Sequence, residues 1–183
     1  FEAKGRPPTS PVIVHVASIE MARSLAAAWP AAAQRLAERF WPGPLTLVVP
    51  KQPSIPDAVS AGLSTVGLRM PAHPLALALI ETSGCPIAAP SANRFTELSP
   101  TSAEHVRKSL GEAVDLVLDG GSTPIGIEST VLSLAVNPPL LLRPGMITRE
   151  EIEAVIGPVD VRASAAAGEA HPAPGMHARH YSP

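Results

Sequence analysis

The sequence predicts an α/β protein, because short β-branched runs alternate along the chain with segments of helical periodicity. The balance of 45% hydrophobic and 16% charged residues in 183 is that of a folded domain. Most of the 22 prolines stand at the edges of the predicted elements. There they stiffen loops without interrupting strands or helices.

The strands are predicted from apolar runs bounded by proline, glycine or polar residues. The runs are PVIVHVAS, TLVVP, TVGLRMP, PIAAP, DLVLDGG and STVLSL, at 11–18, 46–50, 65–71, 86–90, 115–121 and 129–134. A further apolar strand is expected to end at Arg143, in LLRPG.

The helices are predicted at 19–28, 31–40, 74–83, 101–110 and 148–156. Capping boxes are expected for Thr101 with Glu104 and for Thr148 with Glu151, where side chains satisfy free amides of the first turn. Pro74 suits a first helical turn, where its missing amide hydrogen costs nothing.

The remaining composition narrows the class of protein. No run approaches the roughly 20 apolar residues of a membrane span, and the single cysteine, Cys85, excludes an internal disulfide. Its apolar surroundings predict a small buried thiol, and a cytoplasmic location is expected. The chain starts at Phe1, so we expect an N-terminal segment to precede it, and small residues at 163–170 predict a flexible linker.

Cations in proline- and glycine-rich segments are the first candidates for function. Lys4 and Arg6 lie two residues apart, so in an extended segment they face the same way and suit a polyphosphate. A solvated basic edge is the alternative for this pair. Arg69 and Arg143 each end an apolar strand, where an unpaired guanidinium is costly. Each is expected to meet a ligand carboxylate or phosphate, or else a structural Asp or Glu.

The segment APSANRFTELSP places hydroxyl and amide side chains after a strand and before a helix. Ser91, Asn93 and Ser99 could therefore cradle an anion or nucleotide. A serine nucleophile is disfavoured because no G-x-S-x-G surrounds Ser91, and DGGSTPIGIEST lacks the lysine of a P-loop. His177 and His180 lack further ligands, so no protein metal site is expected.

Taken in order, these segments resemble the threonylcarbamoyl-adenylate synthase (YrdC-like) family, in its longer branch with a linker and a C-terminal domain. The resemblance rests on KGRPPTSPVIVHV, FWPGPLTLVVP, TVGLRMPAHP, PIAAPSAN, GIESTV, LLRPGMIT and PGMHARHYSP. It implies a twisted, mixed β-sheet flanked by helices. It also implies a catalytic domain at 1–160 and an extended C-terminal linker, acting as an active-site lid, at 161–183.

The resemblance implies a nucleotidyltransferase that joins L-threonine, bicarbonate or CO2, and ATP into threonylcarbamoyl-AMP and pyrophosphate for tRNA modification. Lys4 and Arg6 would be catalytic. ATP would contact Arg6, Ser10, Thr65, Ser91, Ser99, Arg143 and Tyr181. L-threonine would contact His15, Arg69, Ala89 and Ser129.

The resemblance further implies Mg²⁺ bound together with ATP, a tRNA threonylcarbamoyl-transfer complex as the downstream partner, and possible contact with tRNA or double-stranded RNA. A threonine-contacting segment similar to PTET-YGLG is expected before Lys4, and the C-terminal domain after Pro183. The family pattern has Asn at position 10 and Ser-Gly at 95 and 96, where this sequence has Ser10, Phe95 and Thr96.

Three other functions are compatible with the sequence. An RNA-binding YrdC-like module is disfavoured by an aromatic content of 3%, which leaves few residues for base stacking. A transferase domain that handles carbamoyl-adenylate would share the same motifs, although the terminal RHYSP favours the threonine branch. The third is an α/β scaffold that binds no nucleotide.

Overall fold

The computed structural model describes residues 1–161, which form one mixed β-sheet with helices. The strands are β1 Val14–His15, β2 Leu45–Pro50, β3 Thr65–Arg69, β4 Ile87–Ala88, β5 Thr130–Ser133, β6 Leu140–Arg143 and β7 Asp160–Val161. The helices are α1 Ile19–Leu25, α2 Ala31–Phe40, α3 Asp57–Ser60, α4 Pro74–Ser83, α5 Ala103–Leu110 and α6 Arg149–Ile156. Single 3-10 turns lie at Glu2–Lys4 and Gly111–Ala113.

The sheet order is β4-β1-β3-β2-β5-β6-β7. The pairs β1–β3, β2–β5 and β6–β7 are parallel, whereas β1–β4, β2–β3 and β5–β6 are antiparallel. In the centre Leu47 pairs with Leu68 of β3 and with Leu132 of β5. The predicted α/β class with a mixed sheet is therefore confirmed.

The core lies between one face of this sheet and helices α1, α2 and α6. Ala22, Leu36 and Ile152 are fully buried there against Leu47 and Leu68. Strand β3 alternates between the two faces, with Val66 and Leu68 in the core and Thr65, Gly67 and Arg69 on the opposite face. Helices α1, α2 and α6 do not cover that opposite face, which is called the open face below.

Helix boundaries follow the capping chemistry with two exceptions. The helices predicted at 31–40 and 74–83 are confirmed with the same bounds, and the capping box of Thr148 with Glu151 is confirmed too. Helix α1 ends at Leu25 rather than at 28. The Thr101 capping box is wrong, because the Ser102 hydroxyl takes the cap position and accepts from the amide of His105.

Two other predictions fail, and one helix was missed, for physical reasons. Residues 115–121 form no strand, and Leu116 and Leu118 are exposed there. The short helix α3 was not predicted because four residues carry too little periodicity. Cys85 is exposed rather than buried, since it follows the left-handed Gly84 that ends α4 at the surface.

Two glycines are required by close backbone packing beside the open face. A Cβ atom on Gly43 would lie 2.2 Å from the carbonyl oxygen of Phe40. A Cβ atom on Gly145 would lie 2.4 Å from the amide nitrogen of Thr130 and 2.6 Å from the carbonyl oxygen of Glu128. Backbone atoms cannot step aside as a flexible side chain can, so any side chain at these positions displaces the neighbouring segment.

We predict that Gly145→Ala destabilises the protein by roughly 1–3 kcal/mol through overpacking. Gly126→Ala is the matched control, because a Cβ atom there meets nothing within 4 Å. Urea unfolding followed by circular dichroism measures both variants. Equal stability of the two would contradict the close approach at Gly145.

Candidate active site

The candidate active site lies on the open face and extends into the loops beside it. A Cβ atom on Gly67 would contact side chains of Ile13, Thr46 and Val48, so these residues share that face. The segments that follow β4 and precede β5 wall the cavity beside this face.

His15 and Arg69 are neighbours on paired strands, because β1 and β3 place them in register. The Arg69 Nε atom donates to the carbonyl of Gly43 at 3.0 Å. Burial, reinforced by the charge of Arg69, lowers the pKa of His15 to about 4, against the opposing effect of the nearby backbone of Ile87. His15 is therefore neutral near pH 7. Its buried Nδ1 atom makes no hydrogen bond of normal geometry within residues 1–161.

Arg143 is held against the start of β5. Its Nε and Nη2 atoms donate to the carbonyl of Ser129 at 3.0 and 2.8 Å, and Nη2 also lies 3.0 Å from the Ser129 hydroxyl. That hydroxyl lies 2.9 Å from the hydroxyl of Thr46 on β2. All three side chains are buried, so the guanidinium has a defined position.

Glu128 joins two walls of the site. One of its carboxylate oxygens accepts a hydrogen bond from the Ser99 hydroxyl, and the other lies 3.5 Å from Arg143 Nη2. The carboxylate therefore supplies the structural partner that was one of the two expectations for Arg143. Glu128 itself was not among the predicted site residues. The expected partner of a strand-end arginine was the available signal, but sequence separation hides which acid supplies it.

Lys4 does not lie in an extended segment, contrary to the prediction for Lys4 and Arg6. Both side chains are held by hydrogen bonds to backbone carbonyls. Lys4 lies in a 3-10 turn, and Gly5 follows with φ 64°. The Lys4 ammonium donates to the carbonyls of Ser91 and Asn93. Arg6 Nη2 lies 2.7 Å from both the Ser10 hydroxyl and the Pro11 carbonyl. Ser10 thus positions the Arg6 guanidinium.

The electrostatics of the site are those of crowded cations. Burial, with the charge of Arg6 next, lowers the pKa of Lys4 to about 8, and Glu128 opposes the shift. Burial also lowers the pKa of Arg6 and of Arg69, again against the charge of Glu128. Arg143 adds to the lowering at Arg69. A bound anion would relieve these unfavourable interactions.

Two cavities occupy the site, with volumes of about 740 and 1120 Å³. Both are lined by residues 99–101 and 126–128, so the Ser99–Glu128 hydrogen bond lies in their shared wall. The smaller cavity also contacts Arg69, Ser91 and Ser129, and the larger one contacts Arg143. The structure thus brings together residues that are far apart in sequence.

Other predicted site residues do not line either cavity. The Ala89 amide donates to the carbonyl of Ile13, beside His15. Thr65 is on the open face but at the opposite end of β3 from Arg69, about 13 Å away along the strand. Tyr181 and the predicted linker lie outside the described residues. Within residues 1–161 no group of three His, Cys, Asp or Glu could hold a metal ion, and no helix is long and apolar enough to cross a membrane.

The fold and the site define an α/β protein with a cationic cleft whose charge is suited to an anion. Residues 1–145 match the family model Sua5_yciO_yrdC, described as "Telomere recombination". Residues 147–183 match the model described as "Threonylcarbamoyl-AMP synthase, C-terminal domain". The chain therefore belongs to the Sua5/YciO/YrdC family.

Relatives and solved structures agree with this assignment. Threonylcarbamoyl-AMP synthases of Pyrococcus abyssi and Bacillus subtilis are 51% and 53% identical over all of this chain and 54% of their own length. The crystal structure of P. abyssi Sua5 complexed with L-threonine matches with a TM-score of 0.96, over 100% of this chain and 54% of that chain. The chain thus spans about half the length of these relatives. A full-length HypF structure, at 19% identity and a TM-score of 0.65, shows the shared fold alone.

We predict that anion binding at this site returns a proton to Lys4. At about pH 8.5 most Lys4 side chains are neutral in the unliganded protein, and a bound phosphate group raises the pKa, so binding takes up protons. Calorimetric titration with pyrophosphate, in buffers of different ionisation enthalpy, measures the uptake.

Lys4→Arg is the comparison, because arginine stays charged at this pH. The wild-type protein is expected to take up more protons than the variant. An identical buffer dependence for the two proteins would contradict the assignment of the proton to Lys4.

Proposed function

We propose that this chain carries the catalytic domain of a threonylcarbamoyl-AMP synthase. The observation that supports this most directly is the cleft itself. It gathers Arg69 and Arg143 around space for two ligands in a chain that matches, over its whole length, a relative crystallised with L-threonine. Two relatives that carry the name of this enzyme have about half of the aligned residues identical to it, over 54% of their own length.

The proposed reaction consumes L-threonine, bicarbonate or CO2, and ATP. The threonine nitrogen attacks the carbon of CO2 and loses a proton, which gives a carbamate. A carbamate oxygen then forms a bond to the α-phosphorus, and the bond from that phosphorus to the bridging oxygen breaks. Pyrophosphate leaves with the electron pair. No protein nucleophile is required, so positioning and charge neutralisation carry the catalysis.

Threonine would occupy the smaller cavity. Arg69 is suited to its carboxylate, since Nε is already held by Gly43 and fixes the orientation of the guanidinium. Neutral His15, with Nδ1 unpartnered within residues 1–161, can exchange a hydrogen bond with a polar group of the amino acid. Ser129 and the backbone of Ala89 would complete the contacts.

ATP would be bound by the cations and hydroxyls around the shared wall. Lys4 and Arg6 would neutralise charge on the reacting phosphate, and Arg143 with Ser99 would hold further phosphate oxygens. The ATP contacts proposed from the family resemblance are Arg6, Ser10, Thr65, Ser91, Ser99, Arg143 and Tyr181.

Mg²⁺ would accompany the triphosphate, which supplies most of its ligands along with water. The residues present fit that arrangement: Glu97 and Glu128 line the larger cavity, and each already accepts a hydrogen bond from a serine hydroxyl, which leaves most of the metal's ligands to the triphosphate and water. Bound there, the metal would neutralise charge on the leaving pyrophosphate. The adenylate product would pass to the enzymes that transfer its threonylcarbamoyl group to tRNA.

The direct test is product formation by the purified protein. Incubation with L-threonine, isotopically labelled bicarbonate, ATP and Mg²⁺ is expected to give labelled threonylcarbamoyl-AMP and one pyrophosphate per adenylate. Mass spectrometry detects the first product and a coupled assay the second. Omitting threonine is the control. Absence of labelled adenylate, from protein that binds ATP in calorimetry, would contradict the proposed function.

We predict that Arg69→Ala raises the KM for L-threonine by about tenfold or more, the effect of losing a hydrogen bond to a charged group. The KM for ATP should change by less than about threefold, because Arg69 lies on the threonine side. Arg149→Ala is the control, since Arg149 pairs with Glu153 on the exposed side of α6. Equal rises in both KM values for Arg69→Ala would contradict the assigned role.

A further inference from the structure

The function proposed above assigns Glu128 only a place in the cavity wall near the Mg²⁺-bound triphosphate, yet its carboxylate contacts two of the residues assigned to ATP. Its carboxylate accepts from the Ser99 hydroxyl and forms an ion pair with Arg143 at 3.5 Å. Its side chain is 24% exposed, so solvent and ligands can reach it. Two carboxylate oxygens shared between a hydroxyl and a guanidinium are the pattern by which proteins bind a phosphate group.

The charges around Glu128 strengthen this comparison. The pKa values of Lys4, Arg6 and Arg69 are each raised by its charge, against the larger effect of burial. Four cations therefore interact with this carboxylate. Among the described residues it is also the acidic side chain that lines both cavities. Because the cations outnumber this single carboxylate, a ligand with more negative charge than the carboxylate would interact with them more favourably.

The location of Glu128 in the shared wall matters as well. Gly145 packs against the Glu128 carbonyl, which fixes the backbone of Glu128 while its side chain spans the gap to Ser99. A side chain on a fixed backbone can exchange partners without moving the strand that follows it.

We propose that Glu128 is a positioning residue whose carboxylate occupies the phosphate-binding donors of Ser99 and Arg143 in the unliganded protein and gives them up to phosphate oxygens of ATP. This inference rests on the proposed function, because it takes ATP as the ligand. The exchange keeps the donors aligned and the cations neutralised before ATP arrives. It also lowers the affinity for phosphate, since each incoming oxygen displaces an existing contact.

Glu128→Gln tests the exchange. The amide oxygen of glutamine can still accept from Ser99, so the bridge between the walls is retained while the competing charge is lost. The variant is expected to bind pyrophosphate about fivefold more tightly than the wild type in calorimetry, as for the loss of an ion pair worth about 1 kcal/mol. Glu104→Gln, an identical charge change on the exposed side of α5, is the control and should bind as the wild type does.

Thermal unfolding gives a second measurement. Without a ligand, Glu128→Gln should unfold at a lower temperature than the wild type, because the cations lose their counter-charge. Saturating pyrophosphate should raise its unfolding temperature more than that of the wild type. A purely structural carboxylate would lower stability without any gain in anion affinity.

Steady-state kinetics measure the consequence of the exchange for catalysis. For Glu128→Gln the KM for ATP should fall while kcat also falls, because tighter ground-state binding does not reproduce the alignment. Pyrophosphate binding equal to or weaker than that of the wild type overturns the inference.

If Glu128→Gln does not fold, Glu128→Asp replaces it. The shorter side chain cannot hold both donors, so tighter pyrophosphate binding is again expected and unchanged binding overturns the proposal.

The proposed function and the proposed exchange can be overturned independently of each other. Pyrophosphate binding needs no turnover, so a tighter Glu128→Gln variant of a protein that makes no threonylcarbamoyl-AMP would support the exchange and overturn the proposed function. Product formation by the wild type, with weaker pyrophosphate binding by the variant, would support the function and overturn the exchange.

Discussion

The interaction on which the site depends is the ion pair and hydrogen-bond set of Glu128 with Arg143 and Ser99. Burial lowers the pKa of Lys4, Arg6 and Arg69, and repulsion by a neighbouring arginine adds to the lowering at Lys4 and Arg69. One carboxylate offsets part of that unfavourable energy. The remainder is available to an anionic ligand, which therefore stabilises the folded chain as it binds.

The fold supplies this arrangement by separating two tasks between the faces of one sheet. Leucine, valine and isoleucine side chains on one face pack against α1, α2 and α6, and this packing provides the stability of the domain. The open face carries Thr46 and Gly67, and the Ser129 hydroxyl that contacts Thr46 belongs to a residue that lines the smaller cavity. Gly43 and Gly145 allow close approach of the loops. The Gly43 carbonyl then orients Arg69, and Gly145 packs against the carbonyl of Glu128 and fixes the Glu128–Ser129 segment.

Sequence patterns predicted what depends on local chemistry. Helices at 31–40 and 74–83 and the capping box at Thr148 were predicted correctly, because periodicity and caps are set by neighbouring residues. The apolar run at 115–121 failed as a strand, since a strand also needs a partner in the sheet. Arg69 and Arg143 could be singled out as strand-end cations. Glu128 could not, because the partner of Arg143 is chosen by the β5–β6 pairing.

Preorganisation explains why so many of the predicted ligand-binding side chains already have protein partners. The Lys4 ammonium, Arg6 and Arg143 each donate to backbone carbonyls, so their side chains are ordered before any ligand binds. Ordering a long cationic side chain at the moment of binding would cost up to about 2 kcal/mol each. Backbone carbonyls are neutral acceptors and leave the full charge available to a phosphate, whereas Glu128 cancels part of it. The cations are therefore held mainly by carbonyls, and under the proposed exchange the Glu128 carboxylate is the contact that a phosphate oxygen replaces.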